Sequence, residues 1–330
     1  MKKLIKKIKR RIRQLKAMLD KIGAKGWDRV FLTFDIYYCR KILHATNQEY
    51  LTYKFYNLKN RYRKQFMLIY HQQNFMRYLG KPRFTVYKYQ FHQHIPQFFQ
   101  RELILAPECG AEAFVNFVKS HGKVVVKPNM GSYGRDIEML HYTNDEDILN
   151  YFNNIKRDTV CEEFVIQHDT MNQFNASSVN TIRIVSLRID NEIVITGAAL
   201  RSAAIPGNFT DNIHTGGLCA QVDISTGVLY THGSNYDGKQ CIKHPVTGCT
   251  ILGFQIPHWD KAIELVKSAH AAIKECDYLG WDIAITPTGV DIIEAGNAPD
   301  PLLIQSADAI PKGTLVLPPP QSPQKNRQGR

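Results

Sequence analysis

Residues 280–297 constrain the chain most tightly. They read Gly-Trp-Asp-Ile-Ala-Ile-Thr-Pro-Thr-Gly-Val-Asp-Ile-Ile-Glu-Ala-Gly-Asn. Two alternating apolar runs flank a Thr-Pro-Thr-Gly turn, the pattern of a β-hairpin. Asp282 and Glu294 each lie six residues from Thr288. Folding about that point makes them approximate cross-strand neighbours on one face. Two bare carboxylates so placed repel, and a hard divalent cation with oxygen ligands removes the cost. Mg²⁺ takes one or two carboxylates and fills its other positions with water and substrate phosphate. Asn297 would add a neutral oxygen. The competing reading is a solvated hairpin face or an Asp–Lys pair across the strands, and the apolar surroundings of both carboxylates weigh against it.

A second constellation runs Val-Val-Val-Lys-Pro-Asn-Met-Gly-Ser-Tyr-Gly over residues 124–134. A buried-type strand ends in Lys127, and a loop with two glycines follows. Glycines let a backbone approach phosphates and aim N–H groups at them, and Lys127 would put a point charge beside them. No GK[ST] is present and the loop leads to a strand, so this is not a Walker loop. A plain hairpin with glycines at its turn fits the same residues.

Between these lie Cys-Glu-Glu-Phe-Val-Ile-Gln-His (161–168) and Ser-Val-Asn-Thr-Ile-Arg (178–183). The first suits a strand leading into a hinge. Arg183 and Arg201 are cations in apolar strands, where arginine pairs with carboxylate or phosphate; taken singly, each reads better as a structural ion pair. Residues 211–217, Asp-Asn-Ile-His-Thr-Gly-Gly, form a polar loop that either closes over a substrate or makes a turn. His92 and His94, without further ligands, read as surface or packing residues rather than a metal pair.

Beyond residue 81, β-branched runs alternate with turns. Strands are expected at 123–127, 137–140, 159–166, 181–189, 192–201, 218–223, 281–286 and 290–295, and helices at 112–120, 145–155 and 259–276. This is an α+β pattern with antiparallel sheets. Residues 28–44 and 47–79 read as helices, within an accessory region at 26–80 that shows no nameable chemistry. The stretch from 318 to 330, rich in Pro, Gln and basic residues, reads as a disordered tail.

The net charge of +12 is concentrated at one end. Residues 1–25 hold eleven Lys or Arg against Asp20 alone, which is +10 and leaves +2 for the other 305 residues. Leu4, Ile8, Ile12, Leu15, Leu19 and Ile22 recur at helical spacing among these cations. The segment therefore reads as a basic amphipathic helix. It would pack on the body or a second chain, or lie on an anionic membrane surface through residues 1–24. Nucleic acid is disfavoured, because no aromatics interleave the basic run. The longest apolar run, near 66–70, is far short of a membrane span. No apolar h-region follows the basic start, so a secretory signal is not expected. Seven cysteines, none in a CxxC pair, read as reduced thiols of a cytoplasmic protein.

Taken in order, the strings VVVKPNMGSYGRDI, EEFVIQH, SVNTIRIV, DNIHTGGL, HPVTG then IPHW, and GWDIAI then IIEAGN resemble the ATP-grasp superfamily, and within it the sugar-transfer-associated branch. The resemblance runs over about residues 81–310 and implies ATP gripped between two α+β subdomains. A domain at 81–317 would then contain a lid at about 110–165. By this resemblance Lys127 and Lys88 would contact phosphate, and Gly131, Ser132 and Gly134 would cover it. Glu162, Glu163 and Val165 would match the adenine hinge, and Asp169 or Gln167 the ribose contact. Asp282, Glu294 and Asn297 would hold Mg²⁺. Arg183 and Arg201 would stabilise the transferred phosphoryl group or a substrate carboxylate. One departure stands out: the common ending is Glu-x-Asn, and here it is Glu294-Ala-Gly-Asn297. The extra residue turns Asn297 to the other strand face, unless Gly296 forms a bulge.

The implied activity is ATP-dependent ligation of a carboxylate to an amine through an acyl-phosphate, in glycan or cell-surface polysaccharide synthesis. The partners would be a small or glycan-linked carboxylate and an amine acceptor, in the cytoplasm or at the inner membrane face. The alternatives are an ATP-grasp small-molecule kinase and a non-catalytic adapter docked on a membrane.

Overall fold

A computed structural model describes residues 2–78, 87–131, 134, 136–208, 210–306, 308 and 310–312. Two compact units emerge, one of residues 1–79 with 300–330 and one of residues 80–299. The described residues beyond Pro299 belong to the first unit, so the expected 81–317 span is divided between the two. Ser132, the 318–330 tail and the residue-80 boundary lie outside the described residues.

The first unit is helical. It holds α1 (Lys2–Ile22), α2 (Trp27–Lys41), α3 (Asn47–Thr52), α4 (Asn60–Arg63) and α5 (Ile69–Tyr78). The helix expected over 47–79 is broken. Lys54 takes a left-handed conformation at φ 52°, a one-turn 3-10 helix follows, and α4 is a single turn. The break turns Phe55 inward against Tyr53 and Phe66, with ring centroids 5.8 and 5.3 Å away. Burying these rings outweighs the hydrogen bonds a continuous helix would make. Glu49 closes a capping box with Thr46 and also accepts from the Ile69 N–H at 2.6 Å. Arg63 grips Asp35 through both terminal nitrogens at 2.6 and 2.9 Å. Gln305 donates to the Tyr53 hydroxyl and the Met67 carbonyl, tying the returning chain to this core.

The second unit is α+β. In chain order its elements are α6 (Lys88–His94), β1 (Leu103–Ala106), α7 (Ala111–His121), β2 (Lys123–Pro128), β3 (Glu138–His141), α8 (Asp145–Asn153), β4 (Thr159–Glu163), β5 (Ile182–Ile189), β6 (Glu192–Ala203), β7 (Gly217–Gln221), β8 (Gly233–Asn235), β9 (Gln240–Cys241), α9 (Trp259–Ala272), β10 (Tyr278–Ile285) and β11 (Val290–Gly296). Among the described residues the strands form two antiparallel sheets, in the orders β1-β4-β2-β3 and β11-β10-β5-β6-β7-β8-β9.

The smaller sheet packs with α7 and α8 around Phe114, Val118, Val124, Val126 and Ile148. Sequence sets both helix limits. Asn144 caps α8 by accepting from the Asp147 N–H, and three acids occupy its first turn. Gly122 ends α7 at φ 67°. The larger sheet carries α9 on one face, over a core that includes Ile184, Leu200, Val266, Ala269 and Trp281. Strand alternation then sends Asp282, next to Trp281, to the opposite face. Strand 159–166 proves shorter than expected, leaving the sheet after Glu163, and the helix expected to reach 276 stops at Ala272, where Ile273 turns extended and buried.

The loop before β7 rests on a close approach. A Cβ at Gly217 would meet the Asp211 carbonyl oxygen at 2.5 Å and the Asn212 carbonyl carbon at 2.8 Å. Backbone cannot yield as a flexible side chain would. Gly217→Ala should therefore lose about 1–3 kcal/mol of stability, read as a lower urea midpoint for the unfolding of the second unit. An unchanged midpoint would contradict this close approach.

Candidate active site

The hairpin of β10 and β11 pairs Asp282 directly with Glu294, as folding about Thr288 predicts. The register then slips, with Ile283 opposite Ile292, so Ile293 is the extra residue of a bulge. This irregularity precedes Glu294. Pairing runs unbroken from Glu294 to Gly296, so the bulge at Gly296 that could turn Asn297 back is absent from the paired strand.

Asp282 is not a bare carboxylate. Arg183, its neighbour on β5, donates Nε and Nη2 to its two oxygens at 2.6 and 3.0 Å. Arg201 on β6 donates Nη1 to Oδ2 at 2.6 Å and Nη2 to Asp211 at 2.9 Å. Asp211 also accepts from the Thr181 amide at 3.0 Å and from the Thr181 hydroxyl. Burial alone would raise the Asp282 carboxyl, but the two guanidinium groups outweigh it and hold it well below the usual carboxylate range. Burial would likewise lower Arg201, and its two carboxylates raise it instead. The pairing that sequence reasoning assigned to each arginine singly is thus one continuous chain, Arg183–Asp282–Arg201–Asp211.

A second chain meets it. Lys127, at the end of β2, is buried against Glu162 of β4. Glu162 also receives Arg101, whose Nη2 lies 3.2 Å away. Arg101 reaches further, donating Nη1 to Asp291 at 2.6 Å and to the Ile292 carbonyl, and Nη2 to the Ile293 carbonyl at 3.0 Å. It thereby clamps the β11 bulge immediately before Glu294. Burial would raise the Glu162 carboxyl, and Arg101 and Lys127 hold it down. Lys88, at the start of α6, donates to the Gly131 carbonyl at 3.0 Å. Its ammonium is pulled below the ordinary lysine value by burial, opposed by Glu294 and reinforced by Lys127. Lys88, Lys127, Glu162 and Glu294 therefore share one local field.

Other expected residues fall around this centre. Gly134, at φ 66°, brings its backbone against Thr210, where a Cβ would sit 3.0 Å from Cγ2. Gly131 is exposed. Glu162 is committed to its cations and not open to a base, and Glu163 hydrogen-bonds the Glu102 backbone at the edge of β1. The N–H groups of Val165 and Ile166 make no hydrogen bond among the described residues. Asp169 is exposed, and its carboxylate accepts a long bond from the Asn172 side chain, at 3.4 Å. Gln167 is buried and spent on Asn172, Asn175, Ser178 and Asn180. His92 packs against the Phe99 ring, and His94 lies 3.4 Å from Glu275. Sequence reasoning missed Arg101 and Asp291, and treated Asp211 as part of a turn. The signal for Arg101 was a lone cation ahead of the apolar run Leu103–Ala106.

The residues present fit Mg²⁺. Glu294 is half-buried and makes no hydrogen bond or ion pair among the described residues, so its oxygens are open. Asp282 accepts three bonds and keeps acceptor capacity for one more ligand. Among the described residues no three His, Cys, Asp or Glu side chains cluster, and two carboxylates with an amide suit a cation that keeps waters and phosphates. Charge also fits. Lys88, Lys127, Arg101, Arg183 and Arg201 stand against Glu162, Asp291, Asp211, Asp282 and Glu294, five of each sign. A polyphosphate meets no surplus of cations here and needs one brought with it. Two buried donors, Arg201 Nε and Asn297 Nδ2, lack an acceptor among the described residues, and phosphate oxygens would supply it.

Removing Arg201 would leave Asp282 with one partner and Asp211 with none of its charge compensated. Arg201→Met should cost about 3–5 kcal/mol, measured by urea unfolding. The emission of Trp259 and Trp281, both buried in the second unit, reports it. Asp282 and Glu162 have folded values below their unfolded ones. Their stabilisation is complete above the ordinary carboxylate range and is lost as pH falls below about 4. The urea midpoint should be flat from neutral pH to that point and decline beneath it. A rise on acidification would contradict the pairing.

Comparison with solved structures finds distant likenesses. N5-carboxyaminoimidazole synthase from Aspergillus clavatus, in complex with ADP and 5-aminoimidazole ribonucleotide, is 10% identical with a TM-score of 0.40, over 64% of this chain and 44% of that one. D-alanine–D-alanine ligase from Bacillus anthracis is 12% identical with a TM-score of 0.40, over 76% and 70%. L-amino acid ligase from Bacillus licheniformis is 11% identical with a TM-score of 0.39, over 70% and 46%. The chain thus spans under half the length of the first and third. No curated protein matches it. The sequence pattern of one family does match, over residues 61–310, and on that match the chain belongs to the sugar-transfer associated ATP-grasp family.

Proposed function

We propose that the chain is an ATP-dependent carboxylate–amine ligase. The observation that carries this reading is the open Glu294 carboxylate, held across the strand from Asp282 beside a network of ion pairs. An open acid at a neutralised, buried centre suits a metal-bound polyphosphate. Glu294 and Asp282 would hold Mg²⁺, with Asn297 completing the set through its amide oxygen or meeting phosphate through its unpartnered nitrogen. The metal would supply charge neutralisation at the phosphates.

The protein's own groups do the rest. Lys127, fixed by Glu162, and Lys88, at the Gly131 carbonyl, would meet the phosphate chain from two elements. The loop of Gly131, Ser132 and Gly134 would cover it. The N–H groups of Val165 and Ile166, without a partner among the described residues, suit an adenine edge, and Asp169, on the exposed turn beyond, would meet ribose. Arg201 Nε is a preorganised donor that costs no rearrangement when charge develops on the transferring phosphoryl group. Arg183 holds Asp282 in orientation. A substrate carboxylate attacks the γ-phosphorus and ADP leaves. An amine then attacks the acyl carbon, inorganic phosphate leaves with the C–O bond that breaks, and loss of the amine's proton gives the amide. The family's sugar-transfer association favours a glycan-linked carboxylate, with chemistry at the inner face of a membrane.

Hydroxylamine added with ATP and a carboxylate panel tests the reaction class. A hydroxamate with stoichiometric ADP is expected; a stable phosphorylated product without hydroxamate would instead indicate a kinase. Glu294→Gln should lower turnover by at least about 100-fold while leaving the unfolding free energy within about 0.5 kcal/mol of the parent, since no hydrogen bond or ion pair among the described residues is lost. Full activity in that variant would remove Glu294 from the metal site.

A further inference from the structure

The helical unit carries apolar surface that its own fold leaves open. In α1, Met18 and Leu19 are buried, whereas Leu4, Ile5, Ile8 and Ile12, further up the same stripe, are exposed. In α2, Ile36 and Cys39 are buried on one side. On the opposite side Trp27, Phe31 and Phe34 follow at helical spacing and are 76, 68 and 67% exposed. Three large aromatics on the open face of one helix form a continuous stripe of the kind that marks an interaction surface.

We infer that α1 and α2 form a docking surface for an anionic lipid membrane, with Trp27, Phe31 and Phe34 entering the headgroup boundary and the α1 cations meeting lipid phosphates. Charge decides the occupant. The eleven Lys and Arg of residues 1–25 face a single acid, so a second copy would bring like charge to like charge. Nucleic acid would satisfy the cations and leave the apolar stripe in water. Of these three, the anionic lipid surface alone offers negative charge and an apolar layer together, and aromatic rings sit well at that boundary. No described helix is long and apolar enough to cross a membrane, so the helices lie on the surface rather than span it. This inference does not depend on the ligase reading, because it involves none of the site residues.

The chain carries its own reporter. Of three tryptophans, Trp259 and Trp281 are buried and Trp27 is exposed, so emission changes on adding vesicles report Trp27. The full-length protein is mixed with phosphatidylcholine vesicles, with and without phosphatidylserine. A blue shift, and quenching by brominated acyl chains, are expected on the anionic vesicles only. Binding should weaken sharply at 1 M salt, where the screening length falls to about 3 Å. Phe31→Ser with Phe34→Ser should bind about tenfold or more weakly, with an unchanged melting curve because both residues are exposed. Co-sedimentation without any Trp27 response would overturn the inference. So would a Trp27 shift that appears without lipid and tracks dimerisation in sedimentation equilibrium, which would assign the face to a second copy. Should the double variant misfold, the Trp27 response of the parent protein still decides the matter.

Discussion

The second unit depends on the placement of Asp282 between two arginines. Asp282 stands on β10, Arg183 on β5 and Arg201 on β6, and Arg201 passes the charge on to Asp211 in the loop before β7. Four charged side chains of alternating sign, three of them buried, thus run along the side of the larger sheet opposite α9. Such a chain gives little net stability over an apolar replacement, and losing one member strands the others without water or partner. It therefore acts as a specification. Slipping one strand by a residue would send its charged side chain into the α9 core and its apolar neighbour to the charged face.

That specification also sorts the carboxylates. Asp282, Asp211, Asp291 and Glu162 are each satisfied by cations, and Glu294 is left open. Its position is set indirectly. The extra residue Ile293 advances β11 by one place, and Arg101 holds the resulting bend through the Ile292 and Ile293 carbonyls. The same guanidinium orients Glu162 and, through it, Lys127. One arginine on the approach to β1 thereby fixes a lysine of the smaller sheet relative to an acid of the larger one. A lysine and a glutamate that act on one ligand need such a common reference, because each alone could swing by several ångströms.

Local pattern made much of this legible. The Asp282–Glu294 pairing followed from strand period and turn chemistry, because both act over fewer than twenty residues. Helices α7, α8 and α9 followed from apolar spacing and their end signals. What local pattern hid were choices made by distant residues. A buried carboxylate pair could be relieved by a metal or by arginines, and the sequence does not say that Arg183 and Arg201 converge on Asp282 from ninety-nine and eighty-one residues away. Gly296 was the position where a bulge could restore Asn297, and the bulge occurs instead at Ile293, where Arg101 satisfies the Ile292 and Ile293 carbonyls. The break in the helix expected over 47–79 was hidden similarly: no glycine or proline marks it, and the burial of Phe55 against Phe66 drives it.

The exposed stripe of α2 is not an unfinished core. The helical unit already closes its interior with Tyr50, Tyr53, Phe55 and Phe66, all fully buried, and seals it with Arg63–Asp35 and Gln305. Ile36 and Cys39 satisfy the inner face of α2 without help from Trp27, Phe31 or Phe34. Large aromatics in water lower solubility and add nothing to a core they do not touch. Their alignment on one face, beside the segment holding eleven of the chain's forty-two cations, therefore reflects a surface outside the chain. The two units divide the chemistry between them: a buried network of paired charges beside Glu294 in the second, a cation-rich exposed helix and open aromatics in the first.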